Sequence, residues 1–382
     1  MQRFLIKFYI FRFLEAFKLV GIIFSLLFAA GGLNPFQISL LISIWSATQM
    51  ICEVPFGVMA DMYPRRNVLI LAILVFIAGM FMWLKGGFIF YALGFVFWGM
   101  KNALMSGTME AFVYDELKMY GSESGYEKVN GGADSIFWIG ITLSTILGGI
   151  VANISYNYVI WATILTAIIS AVPLLLLKPA QIIKSTRESK YLATLKSAFY
   201  EMKSNKILLR LTVIFCLLFA LYGAADEFWP LIYKSLNFSP TTIGIILAAG
   251  YGIFALAGNT LHLYKNKETL LLIASALLFI FAGVLNLQIS IPIIFLGLYF
   301  IKVAHLKFDA TFQHTIETGE RATVSSLKSL VFEIIYMIFV LTFGAISNRF
   351  GLIWVVTMLG ILLLGLGVAS GIIIKKLPNK ND

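Results

Sequence analysis

The chain is 382 residues long, 60% hydrophobic and only 13% charged, with a formal net charge of +10 at pH 7. Ordinary soluble domains carry about 25% charged residues, so this composition excludes a soluble fold and calls for a polytopic membrane protein. The basic residues lie in short segments between apolar runs instead of on one solvated face, which excludes a nucleic-acid-binding domain.

Apolar runs recur at residues 4–31, 36–60, 67–84, 88–114, 129–152, 157–177, 207–231, 240–262, 268–287, 291–313, 323–347 and 351–374. A helix needs roughly 20 residues to cross a bilayer core, so the expectation is an all-α integral membrane protein with twelve transmembrane helices. The first run is too long for a signal peptide and has no small-residue cleavage site, so it is expected to persist as a helix. Cys52 and Cys216 fall inside apolar runs and read as small fillers, not as a disulfide framework.

Orientation follows from Lys and Arg. With the N-terminus inside, the inner segments hold Arg3, Lys7, Arg65, Arg66, Lys118, Lys128, eight residues from Lys178 to Arg210, Lys265, Lys267, Arg321, Lys375, Lys376 and Lys380. The outer loops hold only Lys85, Lys234 and Arg349. Basic loops resist translocation, so both termini are expected in the cytoplasm and the chain in the inner or plasma membrane.

Residues 178–206 form the one long polar segment. Within it Tyr191 to Lys203 alternates apolar and basic positions at helical spacing, as an amphipathic helix on a membrane surface does. The expected organisation is residues 1–178 as an N-terminal six-helix bundle, 179–206 as a cytoplasmic linker and 207–382 as a C-terminal six-helix bundle. A weak repeat agrees: Leu33-Asn34-Pro35-Phe36 before the second span echoes Leu236-Asn237-Phe238-Ser239-Pro240 before the eighth.

Between the second and third spans lies the charged hairpin Gly57-Val58-Met59-Ala60-Asp61-Met62-Tyr63-Pro64-Arg65-Arg66. With Glu53 to Phe56 before it, this stretch resembles the loop between helices 2 and 3 of the major facilitator superfamily, in which Gly, three residues, Asp, three residues and two basic residues follow one another. Met62 and Pro64 depart from that pattern, standing where a basic residue and Gly are usual. The resemblance implies two pseudo-symmetric six-helix bundles and a gating role for Gly57, Asp61, Arg65 and Arg66. It also implies that Asp115, at the foot of span four, pairs with Arg65 or Arg66. As cytoplasmic anchors, the two arginines equally obey the positive-inside bias.

Further stretches carry the same resemblance. Gly140 to Gly149 in span five is similar to the motif of the family's antiporters, with Ser144 and Thr145 where Gly and Pro are usual. Ser106 to Leu117 and Arg321 to Ser326 resemble bacterial members of drug-efflux type. Phe95 stands where those members carry an Arg in span four.

An ionisable group at the bilayer centre costs at least about 2.5–3.5 kcal/mol, so each requires a partner, a water-filled cavity or a function. Arg12 and Glu15 fall in span one, Lys101 in span four, Lys302, His305 and Asp309 on one face of span ten, and Glu333 in span eleven. Glu15, Glu333, His305 and Asp309 are the candidate proton-coupling residues; the alternative for Glu15 is a static pair with Arg12 or Lys101, and for Glu333 one with Lys302. Arg12, Lys101, Glu110, Lys302, Asp226, Glu227, Trp138 and Tyr222 are the candidate cavity residues. Asp226 and Glu227 read as an outer gate, as an attractor of a cationic substrate or as solvated acids at a helix end, and the aromatic side chains either as pocket lining or as packing.

Two transport readings follow. One is proton-coupled export, by alternating access, of small amphipathic or drug-like molecules, drawn from the whole-chain resemblance and the partial span-five motif. The other is a proton-coupled importer of a small polar or anionic metabolite, favoured by Arg12, Lys101 and Lys302. A sensor or lipid-handling role is the reading from another class. Neither a metal-ligand run nor a phosphate-cradling loop nor a nucleophile elbow occurs, so an enzyme, a cofactor and a metal are not expected. The expected partners are a small-molecule substrate, protons and the lipid bilayer, with no nucleic acid and with the chain acting as a monomer.

Overall fold

The structure is a computed structural model that describes residues 1–177, 206–264, 267–285, 288–315 and 321–374. Among the described residues the secondary structure is helical throughout. The expected amphipathic helix at 191–203 lies outside them. Eleven helices in the described residues are long and apolar enough to cross a membrane. The chain gathers into two compact units, Met1–Glu188 with Asn237–Ala248, and Ser189–Leu236 with Ala249–Asp382.

The first unit contains α1 (Gln2–Ala16), α2 (Phe24–Ala30), α3 (Pro35–Met62), α4 (Arg65–Trp83), α5 (Phe88–Met105), α6 (Thr108–Met119), α7 (Tyr126–Ala152) and α8 (Tyr156–Leu175). The single run expected at 4–31 is therefore broken between Ala16 and Phe24. Backbone groups freed in an apolar bundle must find partners, and here the N–H of Val20 donates to Thr163 Oγ1 of α8 at 3.1 Å. The run expected at 88–114 is also interrupted: α5 ends at Met105, and Gly107, at φ +68°, turns the chain into α6. A left-handed residue cannot propagate a right-handed helix, and Gly adopts that conformation without steric cost. α3 starts with a reciprocal cap, in which Asn34 accepts from the Gln37 N–H and Gln37 from the Asn34 N–H.

α1 packs against α7 and α8, α5 against α3 and α4, and α4 against α8. Two glycines of α7 let α1 and the segment after its break approach closely. A Cβ on Gly140 would meet the Phe13 carbonyl oxygen at 2.8 Å, and one on Gly148 would collide with the Leu19 carbonyl. The glycines of the span-five motif thus serve packing inside this unit. At the α4–α5 seam, Trp83 packs edge-on to Phe95 and Phe28 and donates its Nε1–H to the Tyr91 carbonyl at 3.0 Å. Phe95 is 2% exposed there, also facing Phe24 and Trp45. Phe95, noted in the sequence as standing in place of an Arg, is thus part of an apolar aromatic core.

The second unit contains α9 (Lys206–Asp226), α10 (Trp229–Ser235), α12 (Glu268–Leu285), α13 (Ile291–Thr315), α14 (Arg321–Phe350), α15 (Ile353–Ile374) and the later part of α11 (Pro240–Asn259). The run expected at 207–231 ends at Asp226. Pro230 cannot extend α9, because its ring would meet the carbonyl four residues back, at Asp226; it sits instead in the first turn of α10, where no N–H is needed. α9 packs against α13, α14 and α15, and α12 against α13 and α15.

Candidate functional site

In the first unit, Glu15 is 5% exposed and lies among three basic side chains. Lys18 Nζ donates to Glu15 Oε1 at 2.5 Å, and Lys101 Nζ donates to the same oxygen at 2.6 Å. Arg12 approaches the other oxygen, Oε2, at 3.8 Å and bonds Asp134 of α7 at 3.1 Å. The Arg12 guanidinium lies over the Phe137 ring, 4.5 Å from its centroid. Three basic side chains thus share two carboxylates, one formal positive charge more than the acids supply. The network is graded in exposure: Asp134 is 57% exposed, Arg12 14%, Lys18 15% and Lys101 7%.

Lys18 is the member that sequence reasoning missed. It lies one turn after Glu15, a spacing that puts both side chains on one helical face. The break after α1 directs it to the carboxylate, with the ammonium 5.7 Å from the centroid of Phe76. Glu15 makes both of the static pairs considered for it, with Arg12 and with Lys101.

At the charged hairpin, Arg65 bonds Asp115 of α6 at 3.1 Å and reaches Asp61 at 3.9 Å. Of the two possible partners for Asp115, Arg65 is the one used. Arg66 donates instead to the Leu177 carbonyl at 2.6 Å and to Asn67. Gly57 lies within α3, where an added Cβ would meet nothing within 4 Å. Glu110 is exposed in the first turn of α6, and Trp138 is exposed on α7 beside Phe137.

The second unit places Tyr222, Lys302 and His305, with Phe219 and Ile301, around a cavity of about 20 Å³, room for one water molecule. Tyr222 Oη and His305 Nε2 are buried without a hydrogen-bond partner among the described residues. His305 packs edge-on against Phe219, and the Lys302 ammonium lies 5.3 Å from the centroid of Phe254. Asp309 turns to Lys328 of α14, at 3.8 Å. Of the three residues expected on one face of span ten, two line the cavity and the third is held by another helix. Glu227 accepts a hydrogen bond from Tyr336 Oη at 2.8 Å, while its neighbour Asp226 is exposed. Glu333 lies half-buried on α14, one turn before Tyr336.

A family profile described as Major Facilitator Superfamily matches residues 9–331. An uncharacterised transporter of Buchnera aphidicola subsp. Schizaphis graminum is 30% identical over 71 residues, a match spanning 19% of this chain and 18% of that protein. Among solved structures, the nucleoside transporter NupG superposes with a TM-score of 0.79 at 14% identity, covering 98% of this chain and 99% of its own. A bacterial homologue of the lysosomal transporter Spinster gives 0.77 at 13% identity, covering 99% and 98%. A D-xylose-proton symporter gives 0.70 at 13% identity, covering 100% and 98%. These likenesses carry the fold, and the profile carries the family. With its membrane-spanning helices, its buried charge network and a family match over most of its length, this chain belongs to the major facilitator superfamily and is a multi-pass membrane transporter.

Proposed function

We propose that the protein is a proton-coupled symporter that imports a small polar, anion-bearing solute by alternating access. The observation that carries this reading is the network of Arg12, Glu15, Lys18, Lys101 and Asp134, in which three basic side chains face two acids. A surplus cation in an apolar bundle is costly unless an anion compensates it. A lipophilic cation gains nothing from such a site. Lys302 adds a further cation beside the small cavity of the second unit.

Asp61, Arg65 and Asp115 are assigned to gating, since the pairs of Arg65 with Asp61 and Asp115 join α3, α4 and α6 at a helix end, and Arg66, bonded to the Leu177 carbonyl, is assigned with them. Both termini are assigned to the cytoplasm by the distribution of Lys and Arg, and the working unit is taken as the monomer. Export of amphipathic compounds draws on the aromatic richness of the chain, but Trp45 and Phe95 are committed to packing at the α4–α5 seam.

The test is proton movement in liposomes that hold the purified protein and a trapped pH dye. Under symport, external D-glucuronate acidifies the lumen and ethidium does not alter lumenal pH. Ethidium-evoked proton flux in the exchange direction, with silence toward anions, would replace import by export.

A further inference from the structure

We infer that the cavity inside the second unit is a binding site for a monoatomic anion, a halide such as chloride, held by Tyr222, Lys302 and His305. The halide acts as a resident counter-ion that joins α9 to α13, and its binding is separate from the transport of the solute.

Two helical faces build the site. Leu218 and Phe219 lie one turn before Tyr222 on α9, and Ile301 and Lys302 one turn before His305 on α13, so each helix brings one stripe to the same space. Leu272 of α12 closes it. Tyr222 Oη and His305 Nε2 are buried without a hydrogen-bond partner among the described residues, and a buried polar atom left in that condition is costly. Lys302 is in no ion pair or hydrogen bond among the described residues. Its ammonium lies 5.3 Å from the centroid of Phe254, and a ring face offsets only part of the desolvation of a charge. The acids nearest to it in sequence are placed otherwise: Asp309 pairs with Lys328, while Glu227 accepts from Tyr336 and Asp226 is exposed at the end of α9.

Three groups able to donate therefore line one space: a phenol O–H, an ammonium and, with its proton on Nε2, an imidazole. An anion accepts from all three and compensates the Lys302 charge as well. Water satisfies Tyr222 and His305 but leaves the lysine without a counter-charge. Size then chooses among anions. A carboxylate or phosphate brings several heavy atoms and the rest of its molecule, whereas a cavity of about 20 Å³ has room for one small particle. A halide is a single atom that accepts hydrogen bonds from any direction, which suits donors converging from two helices between the apolar walls of Leu218, Phe219, Leu272 and Ile301. Because the site exists only when α9 and α13 are packed, the ion binds the folded chain and not the unfolded one, and so stabilises the fold.

The probe is sodium chloride, exchanged for sodium methanesulfonate at constant ionic strength, with the full chain in detergent and its melting temperature as the readout. For the wild type, chloride is expected to raise the melting temperature saturably, by about 2 °C or more, with bromide acting likewise and the larger methanesulfonate without effect. Tyr222→Phe keeps the ring and deletes the donor, so the half-saturating chloride concentration should rise by about tenfold or more. Lys302→Met removes the charge that requires the ion. Its chloride response should vanish, and in chloride-free buffer it should melt no lower than the wild type, a pair of results that a lysine serving only in packing does not give. In crystals grown from sodium bromide, the anomalous map should show a peak among Tyr222, Lys302 and His305. If Lys302→Met does not fold, Tyr222→Phe and the bromide position decide the matter. A wild type indifferent to chloride, a response that Tyr222→Phe and Lys302→Met leave unchanged, or bromide found only elsewhere would overturn the site.

Discussion

Lys101 of α5 donates to Glu15 of α1 across 86 residues of sequence, at 2.6 Å, with both side chains almost wholly buried. Removing one partner of such a pair leaves an uncompensated buried charge, a change that costs about 3 kcal/mol or more. Glu15→Gln is therefore expected to lower the melting temperature of the detergent-solubilised protein clearly, and so is Lys101→Met. The double variant removes both charges and should recover about half of the loss or more, giving a coupling energy of at least ~1 kcal/mol. Additive losses in this double-mutant cycle would show that the two residues act independently.

The pair between Arg65 and Asp115 differs in kind. Both side chains are about a quarter exposed, so solvent screens them and the pair is worth under about 1 kcal/mol. Arg65→Ala and Asp115→Asn should hardly alter thermal stability, yet each should slow transport if the pair belongs to a gate. Exchange of the two, Arg65→Asp with Asp115→Arg, should restore part of the rate. Equal transport by all three variants and the wild type would remove the gating assignment.

Tyr336 donates to Glu227 at 2.8 Å and thereby ties α14 to the end of α9. Tyr336→Phe keeps the ring and deletes the hydroxyl, leaving the carboxylate one donor short. A loss of about 1–3 kcal/mol is expected, read as a lower unfolding temperature. A variant as stable as the wild type would show that Glu227 replaces the lost bond with water.

Two glycine substitutions make a paired test. Gly140→Ala brings a Cβ to 2.8 Å from the Phe13 carbonyl oxygen, and such overpacking costs about 1–3 kcal/mol. Gly57→Ala places its Cβ in open space within α3, so it should be neutral or stabilising by about 0.5–1 kcal/mol through the lower helix-breaking tendency of Ala. Expression and melting temperature of the two variants, measured side by side, check the contrast.

Much of this architecture was legible in the sequence because hydropathy and loop charge act locally along a membrane chain. The charged hairpin announced Asp61 and Arg65, and the cost of an intramembrane charge singled out Glu15 and Lys101 as needing partners. What stayed hidden was tertiary. The break after Ala16 is stabilised by Thr163 from α8, and a run of apolar residues around one Lys carries no sign of that partner. With α1 taken as one continuous helix, Lys18 had no special standing. Phe95 was legible as a missing Arg, but its burial among Trp83, Phe24 and Phe28 depends on helices that meet only in the fold. The pairing of Asp309 with Lys328 likewise turned on the approach of α14, which helical spacing along α13 does not convey.

The most direct test of proton-coupled import is the accumulation of radiolabelled D-glucuronate in liposomes containing the purified protein, under an inward acid gradient and again after a protonophore collapses it. The account predicts uphill accumulation that the gradient drives and the protonophore abolishes. Glucuronate that merely equilibrates in both conditions, with ethidium moving outward against the same gradient, would contradict it.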